Sequence, residues 1–375
     1  MAYCTKCGKQ NPDTAKFCTG CGTTLPASQD FSSQQFQPTE EPARKTRNTN
    51  WFAVGVFILV VLLGGSYFLF FHKPEKDKST ESGYTKVSDA DELKIKDLVN
   101  KWNTRLNNRN SNDIADLYAD ELVFYHIQMG KGIATSMLND FFKKNVSYRQ
   151  EITGAVTVEK KENEIKCNFQ KTVTLNGKPT DYPSYLRFSS ENGAWKIVEE
   201  GDKITDYNLG KKQAIIPSYG IPGDFDGDGT TEYAWTVPPK IDETGESCAG
   251  ECFALLTFSN TSIPSLRFDM SIGADVLQNI GNVDDNPGDE LAIVPSWFTS
   301  CWRTGQGITF RNGLWKSIVE PFSIHCDLIE KGVKLIKKDP DKRGYVIVSY
   351  SDMEKWANDL NPDAMFQTKT VSLKK

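Results

Sequence analysis

The chain has 375 residues, a formal net charge of −5, and 25% charged against 38% apolar residues. A mean hydropathy of −0.47 makes most of it polar enough to live in water, so its apolar content must be concentrated somewhere. The charge is +2 up to Phe71 and −7 beyond it, an acidity that argues against nucleic acid as a partner of the C-terminal part. The nine cysteines form two groups: four in the first 21 residues, then Cys167, Cys248, Cys252, Cys301 and Cys326. A close cluster suits a metal, and scattered cysteines suit disulfides in an oxidising compartment.

In chain order, residues 1–25 come first. They read Cys4-Thr-Lys-Cys7-Gly8 and, after ten residues, Cys18-Thr-Gly-Cys21-Gly22. Two CxxC knuckles bring four thiolates to one point, the tetrahedral set Zn²⁺ takes in a closed structural site. The glycine after each second cysteine permits the tight turn a knuckle needs. So short a segment has no core of its own, so the metal would supply its folding free energy. A pair of disulfides is the alternative. The segment resembles the short zinc ribbons that open many bacterial membrane proteins, which implies structural zinc on Cys4, Cys7, Cys18 and Cys21. With all four positions filled, no ligand site remains for chemistry.

Residues 26–50 are rich in Ser, Gln, Pro and Thr and read as a disordered tether. The run Trp51–Phe71 holds 21 residues without a charge. At about 1.5 Å per residue it reaches about 31 Å, the thickness of a bilayer core. We expect one transmembrane helix here. A cleaved signal peptide fits poorly, because 50 residues precede the run and no A-x-A-like site follows it. Arg44, Lys45 and Arg47 suit a cytoplasmic flank, although Lys73, Lys76 and Lys78 follow the span. Reduced thiolates inside and paired cysteines outside favour an N-terminus in the cytoplasm and C-terminal domains in the extracytoplasmic space.

After a linker at 72–86, residues 87–208 are expected to fold as an α+β domain. Ser88 or Asp89 caps a helix carrying Leu93, Ile95, Leu98, Val99, Trp102 and Leu106 at helical spacing. A short helix is expected near 113–118, a strand at 122–127, a helix at 133–144, and strands at 151–159, 164–175, 182–189 and 194–199. Asn176-Gly177 and Glu191-Asn192-Gly193 are hairpin turn signals. This order of a long helix, two short ones and a curled antiparallel sheet resembles the NTF2-like cone. The resemblance implies a pocket between helix and sheet. His126, Asp120 and Tyr125 would be candidates for chemistry there, but none has a partner at a set spacing, and His126 reads as an ordinary sheet residue. Cys167 shares a strand face with Ile165 and Phe169 and reads as a buried free thiol.

Residues 209–375 are expected to be β-rich. Asp224, Asp226, Asp228, Thr230 and Glu232 offer oxygens at alternate loop positions, as Ca²⁺ requires. Asn282, Asp284, Asn286, Gly288 and Glu290 repeat the pattern 58 residues later, each loop preceded by glycine and followed by an apolar strand. Solvated Asx turns without metal are the alternative. A third unit at Asp339–Gly344 carries Arg343 where a ligand belongs. These loops resemble the calcium loops of FG-GAP or integrin-α-like propeller blades. At most three units are too few for a closed propeller, leaving a small domain of two or three sheets. Cys248, Cys252, Cys301 and Cys326 allow three pairings, of which Cys248–Cys252 with Cys301–Cys326 is preferred.

No nucleophile elbow, phosphate loop or HExxH motif occurs. The chain therefore reads as multidomain: a zinc ribbon, one transmembrane helix, an NTF2-like cone, then an all-β domain with propeller-like calcium loops. The expected role is a non-enzymatic protein anchored in the bacterial cytoplasmic membrane. Its ribbon would meet a cytosolic protein, and its ectodomain, stabilised by calcium, would meet a ligand or partner in the envelope. That order resembles bacterial membrane proteins implicated in cell-envelope and antibiotic response. Two alternatives are an extracytoplasmic NTF2-like enzyme, and a glycan-binding or adhesion surface displaying Trp235, Trp297 and Trp302.

Overall fold

The computed structural model describes residues 2–3, 10–11 and 85–374, apart from 162, 192, 212–214 and 359–360. The chain divides into two units, Met1–Thr49 and Asn50–Lys375. In the first, β1 (Ala2–Tyr3) and β2 (Gln10–Asn11) pair antiparallel. The four ribbon cysteines and the apolar run 51–71 lie outside the described residues. Among the described residues, no helix is long and apolar enough to cross a membrane.

In the second unit, β3 (Thr85–Lys86) leads into α1 (Asp89–Asn108). Ser88 caps α1 by accepting from the Asp91 N–H, and Asp89, Asp91 and Glu92 occupy the first turn, where the helix dipole favours anions. Ile95, Val99, Trp102 and Leu106 are buried at spacings of three to four, each contributing roughly 1.5–3 kcal/mol by burial. Leu93, expected on this stripe, is 71% exposed. The second helix is shorter than expected. It is α2 (Ser111–Ala115), because Tyr118 already belongs to β4 (Tyr118–Phe124).

The single strand expected at 122–127 is broken. β4 turns through Tyr125 and His126 into β5 (Ile127–Gly130), with Phe124 opposite Ile127. Both turn residues are left-handed, φ 46° and 72°, as in a primed two-residue hairpin. That turn usually takes Asn-Gly, and holding Tyr and His there costs about 1–2 kcal/mol each. Two hydrogen bonds offset the cost: Tyr125 N–H donates to the Glu200 carbonyl at 2.8 Å, and Ser265 N–H donates to the His126 carbonyl at 3.1 Å.

Next come α3 (Lys131–Lys144) and the long antiparallel strands β6 (Arg149–Lys161), β7 (Glu164–Leu175), β8 (Lys178–Glu191) and β9 (Ala194–Asp202). The register of β6 slips between Thr153 and Thr157 beside Gly154 at φ 98°, a bulge that bends the strand. The helix α4 (Lys203–Lys211) then runs across the boundary expected at 208/209.

Four short strands follow: β10 (Ile221–Gly223), β11 (Glu232–Val237), β12 (Phe253–Phe258) and β13 (Ser265–Asp269). They do not form a sheet of their own. β13 pairs in parallel with β5, so one eleven-stranded sheet runs β10-β11-β12-β13-β5-β4-β9-β8-β7-β6-β3. The buried Gln128 side chain ties the junction, donating to the Trp315 carbonyl at 2.7 Å and accepting its N–H at 2.6 Å. Arg187 adds a second tie, from its ion pairs with Glu164 and Glu199 to the carbonyls of Asn312 and Gly313.

The remaining strands are β14 (Ala274–Gly281), β15 (Glu290–Pro295), β16 (Trp302–Arg311), β17 (Leu314–Ser317) and β18 (Phe322–His325), which together form one five-stranded sheet. After α5 (Cys326–Glu330), β19 (Ile336–Lys338), β20 (Tyr345–Ser351) and β21 (Phe366–Ser372) make the last. Between β20 and β21 lies α6 (Met353–Asn358). Phe225, Phe258 and Trp315 fill the core between the first two strand groups, the last two rings stacked at 4.9 Å.

Candidate functional site

β7 alternates strictly, burying Ile165, Cys167, Phe169, Lys171 and Val173. Lys171 is thus a cation in an apolar register, 4% exposed, and with the strand's other inward residues it faces α1 and α3. Beyond it lies a cavity of about 110 Å³ walled by Leu106, Phe124, Ile127, Met137, Leu138, Phe141, Phe142 and Val173, with Tyr125, Tyr148, Tyr182, Glu200 and Asp202 as its polar members. Of these, Tyr125, Ile127, Met137 and Phe141 are only half-buried.

Three polar groups converge there. Lys171 Nζ donates one hydrogen bond, to the Tyr125 hydroxyl at 3.0 Å, and lies 5.4 Å from the Trp102 ring and 5.6 Å from the Tyr125 ring. Glu200 Oε2 accepts from Trp102 Nε1 at 2.8 Å and from the Tyr118 hydroxyl at 2.6 Å. Asp202 is used locally, capping α4 through the N–H groups of Ile204 and Thr205 and the Thr205 hydroxyl. Burial holds Lys171 below its usual value despite the charges of Glu200 and Asp202. Burial also raises Glu200, against Lys171 and its hydrogen-bond donors. Two ionisable groups pushed toward neutrality in one apolar cavity mark a site.

The three residues named from the sequence separate here. Tyr125 turns into the cavity, whereas His126 and Asp120 line an outer groove of about 1280 Å³ that also includes Arg187 and Trp315. Asp120 is exposed and paired with Lys131 at 2.6 Å, which lowers its carboxyl. Burial lowers His126. No hydrogen bond joins the two among the described residues. Lys171, Glu200, Trp102 and Tyr118 were not anticipated as a site, although a lysine two positions past Phe169 in the buried register was a readable signal. Cys167 is a buried free thiol, its value pushed up to about 12 by burial.

The two acidic loops adopt one frame. Phe225 N–H donates to Glu232 Oε2 at 2.9 Å, and Val283 N–H donates to Glu290 Oε2 at 2.8 Å, the equivalent pair. Asp228 N–H to Asp226 and Asn286 N–H to Asp284 repeat the next bond. The loops also lie against each other, since a Cβ on Gly227 would strike Pro287 and one on Gly288 would crowd the Phe225 carbonyl.

Their carboxylates fare differently. In the first loop, oxygens of Asp224, Asp226 and Glu232 all lie within 4.8 Å of one another. Asp224 Oδ1 and Glu232 Oε1 are buried with no hydrogen-bond partner. Among the described residues no lysine or arginine pairs with this loop. An orphaned, mutually repelling oxygen set fits a hard cation. Asp228 is not among the three converging carboxylates; it accepts the Thr230 N–H at 2.7 Å.

The second loop does not fit a cation. Arg311 donates to both oxygens of Asp284, at 3.0 and 3.1 Å, and to Glu290 Oε1 at 2.9 Å. The amide of Asn282 turns to the Asn286 carbonyl. Arg343 of the degenerate third unit and Lys338, the residue just before it, both pair with Asp285. The calcium expected at Asn282, Asp284, Asn286, Gly288 and Glu290 is thus replaced by a guanidinium that already holds the two acidic positions.

Cys248 pairs with Cys252 and Cys301 with Cys326, with Cα separations of 5.4 and 4.9 Å. His325 beside Cys326 therefore faces no thiolate. Trp235 is buried at 8% exposure, which removes it from any displayed surface, while Trp297 and Trp302 are half-buried. The outward ring is Trp356, edge-on to Trp302 at 5.9 Å.

Residues 3–25 match the zinc-ribbon domain family, a span that contains all four N-terminal cysteines. No curated protein matches the chain. Among solved structures it is similar to an NTF2-like protein of unknown function from Pseudomonas putida, 16% identical, with a TM-score of 0.28 over 31% of this chain and 88% of that one. It is also similar to a Nostoc punctiforme protein of unknown function with a cystatin-like fold, 13% identical, with a TM-score of 0.27 over 32% and 93%. A third is an uncharacterised cystatin-like protein from Caulobacter vibrioides, 12% identical, with a TM-score of 0.26 over 29% and 84%. The chain is multidomain and mostly β-sheet, with a zinc ribbon at its start and structural neighbours of NTF2-like and cystatin-like fold.

Proposed function

We propose that this chain is a non-enzymatic, single-pass protein of a bacterial cytoplasmic membrane, whose extracytoplasmic part binds a small, neutral, ring-bearing molecule. The observation that carries this reading is the Lys171 cavity. Its walls are apolar and aromatic, its volume of about 110 Å³ suits a single ring, and Lys171 makes one hydrogen bond among the described residues. Two carboxylates beside one lysine disfavour an anion and leave a neutral acceptor as the complement. The ribbon cysteines Cys4, Cys7, Cys18 and Cys21 would hold structural Zn²⁺ and present a cytosolic surface to a protein partner. The first acidic loop would hold Ca²⁺ through Asp224, Asp226 and Glu232 and stiffen the distal strands. Disulfides beyond the apolar run support an oxidising location for that side.

Calorimetric titration of the full-length protein in nanodiscs with phenol and cyclohexanone tests the cavity. Binding should weaken about tenfold in Lys171→Met, the loss expected for one buried hydrogen bond. A wild-type protein that takes up neither probe at millimolar concentration would refute the reading.

A further inference from the structure

We propose that Lys171 captures a single-ring aldehyde in this cavity as a covalent imine. The inference rests on the reading that the cavity takes a ring-bearing molecule, and it assigns that molecule a reactive group. Three observations point to it. Lys171 lines an apolar cavity in which Tyr125, Ile127, Met137 and Phe141 are only half-buried, which gives a small carbonyl compound a route to it. Among the described residues Lys171 Nζ makes one hydrogen bond, to Tyr125, and Lys171 itself lines the cavity. Tyr125 is held there by a left-handed turn that neither Tyr nor His prefers, a strain of the kind stored where position matters.

Aromatic faces and two carboxylates draw Lys171 toward its ammonium form, but burial outweighs them and holds the group below its usual value, which eases release of the proton that the nucleophilic amine must lose. The amine nitrogen bonds to the aldehyde carbon, and one N–H proton passes to the carbonyl oxygen. The second N–H proton then leaves with that oxygen as water while the C=N bond forms. Aldehyde and amine give imine and water, with no change of oxidation state and no further reactant. The Tyr125 hydroxyl, 3.0 Å from the nitrogen, is in position to relay the proton to the departing oxygen. The apolar walls exclude bulk water and so slow hydrolysis of the product.

The test uses full-length protein in nanodiscs at neutral pH, benzaldehyde with cyanoborohydride, and peptide mapping, alongside titration with benzyl alcohol, which has the ring but no carbonyl. The expected result is one benzyl group on Lys171 ahead of exposed lysines such as Lys178 and Lys203. Lys171→Arg should lose that label, and Tyr125→Phe should slow labelling. If benzyl alcohol binds but Lys171 stays unlabelled, or if label spreads evenly over exposed lysines, the imine is refuted and the cavity reading stands. If neither compound binds, both fall.

Discussion

In the first acidic loop, Asp224, Asp226 and Glu232 face one another with no lysine or arginine paired to them among the described residues, and two of their oxygens are buried and unpartnered. In the second, 58 residues on, the same backbone frame is neutralised from within the chain, by Arg311 at Asp284 and Glu290 and by Lys338 and Arg343 at Asp285. The comparison teaches that a ligand pattern read along one loop does not fix its occupant. A side chain from another strand decides whether the charge set needs a metal. Here it is β16 that delivers Arg311, which a motif scan confined to the loop cannot see.

The sharpest way to break the comparison is to remove the internal cation. Arg311→Met leaves Glu290 fully buried beside Asp284 without its charged partner, holding only the Val283 N–H and the Thr309 hydroxyl, and should cost about 3–5 kcal/mol in denaturant unfolding. Millimolar Ca²⁺ should restore part of that loss. An unchanged midpoint, or no response to Ca²⁺, would show that the guanidinium does not stand in for a metal. Each loop is also followed by its own disulfide, with sequence separations of 25 and 4. Chain entropy makes Cys301–Cys326 worth about 3.5 kcal/mol and Cys248–Cys252 about 2 kcal/mol, so serine pairs at the two sites should rank in that order by urea midpoint.

A smaller effect is expected from calcium on the wild type. Extracellular sites of this kind bind at about 10⁻⁴–10⁻³ M, so 10 mM Ca²⁺ should add about 1.4 kcal/mol at the weak end of that range. Glu232→Gln should abolish the gain, and melting in EGTA against Ca²⁺ reads it. The smallest effect is in pH. Burial raises Asp226 and Glu232, so in EDTA the native state binds more protons than the unfolded chain, and this loop's contribution falls as pH rises through the carboxylate range. Burial also acts to raise Asp284, but hydrogen bonds from Asn286 and the Arg311 charge outweigh it and leave it lowered. Its contribution is therefore present above the usual carboxylate value and fades as pH falls through the lowered one. Urea midpoints between about pH 4 and 7 in EDTA should rise toward acid in Arg311→Met more than in the wild type. Parallel curves would remove the contrast.

Local signals carried the elements well. Ser88 caps α1 as its position before the acidic first turn implies, and the Asn176-Gly177 turn joins β7 to β8 with Leu175 opposite Lys178. The 58-residue repeat was equally readable, because oxygen ligands must recur at fixed positions. Two features were not legible, each for a reason of physics, while a third was legible from the register of β7. Tyr125 and His126 carry no turn signal, since their left-handed backbone is imposed by tertiary hydrogen bonds to Glu200 and Ser265. Lys171 was legible, because Ile165, Cys167 and Phe169 fix the buried face of β7 and Lys171 is next in that register. The joining of β5 to β13 spans too much chain for any local pattern to encode. The zinc cysteines and the apolar run at 51–71 lie outside the described residues, so their support remains the spacing, the length and the family match.

That β5–β13 junction also sets a timetable. β5 ends at Gly130 and its partner begins at Ser265, about 135 residues later in synthesis. At about 5–20 residues per second, the nascent chain carries an open sheet edge for on the order of 10 s before β13 arrives to close it. During that interval the α+β core can form around Trp102 while its edge stays available to any extended strand. The newborn protein thus needs either a short path to completion or a chaperone at that edge, and a truncation ending near residue 208 would leave the edge open permanently.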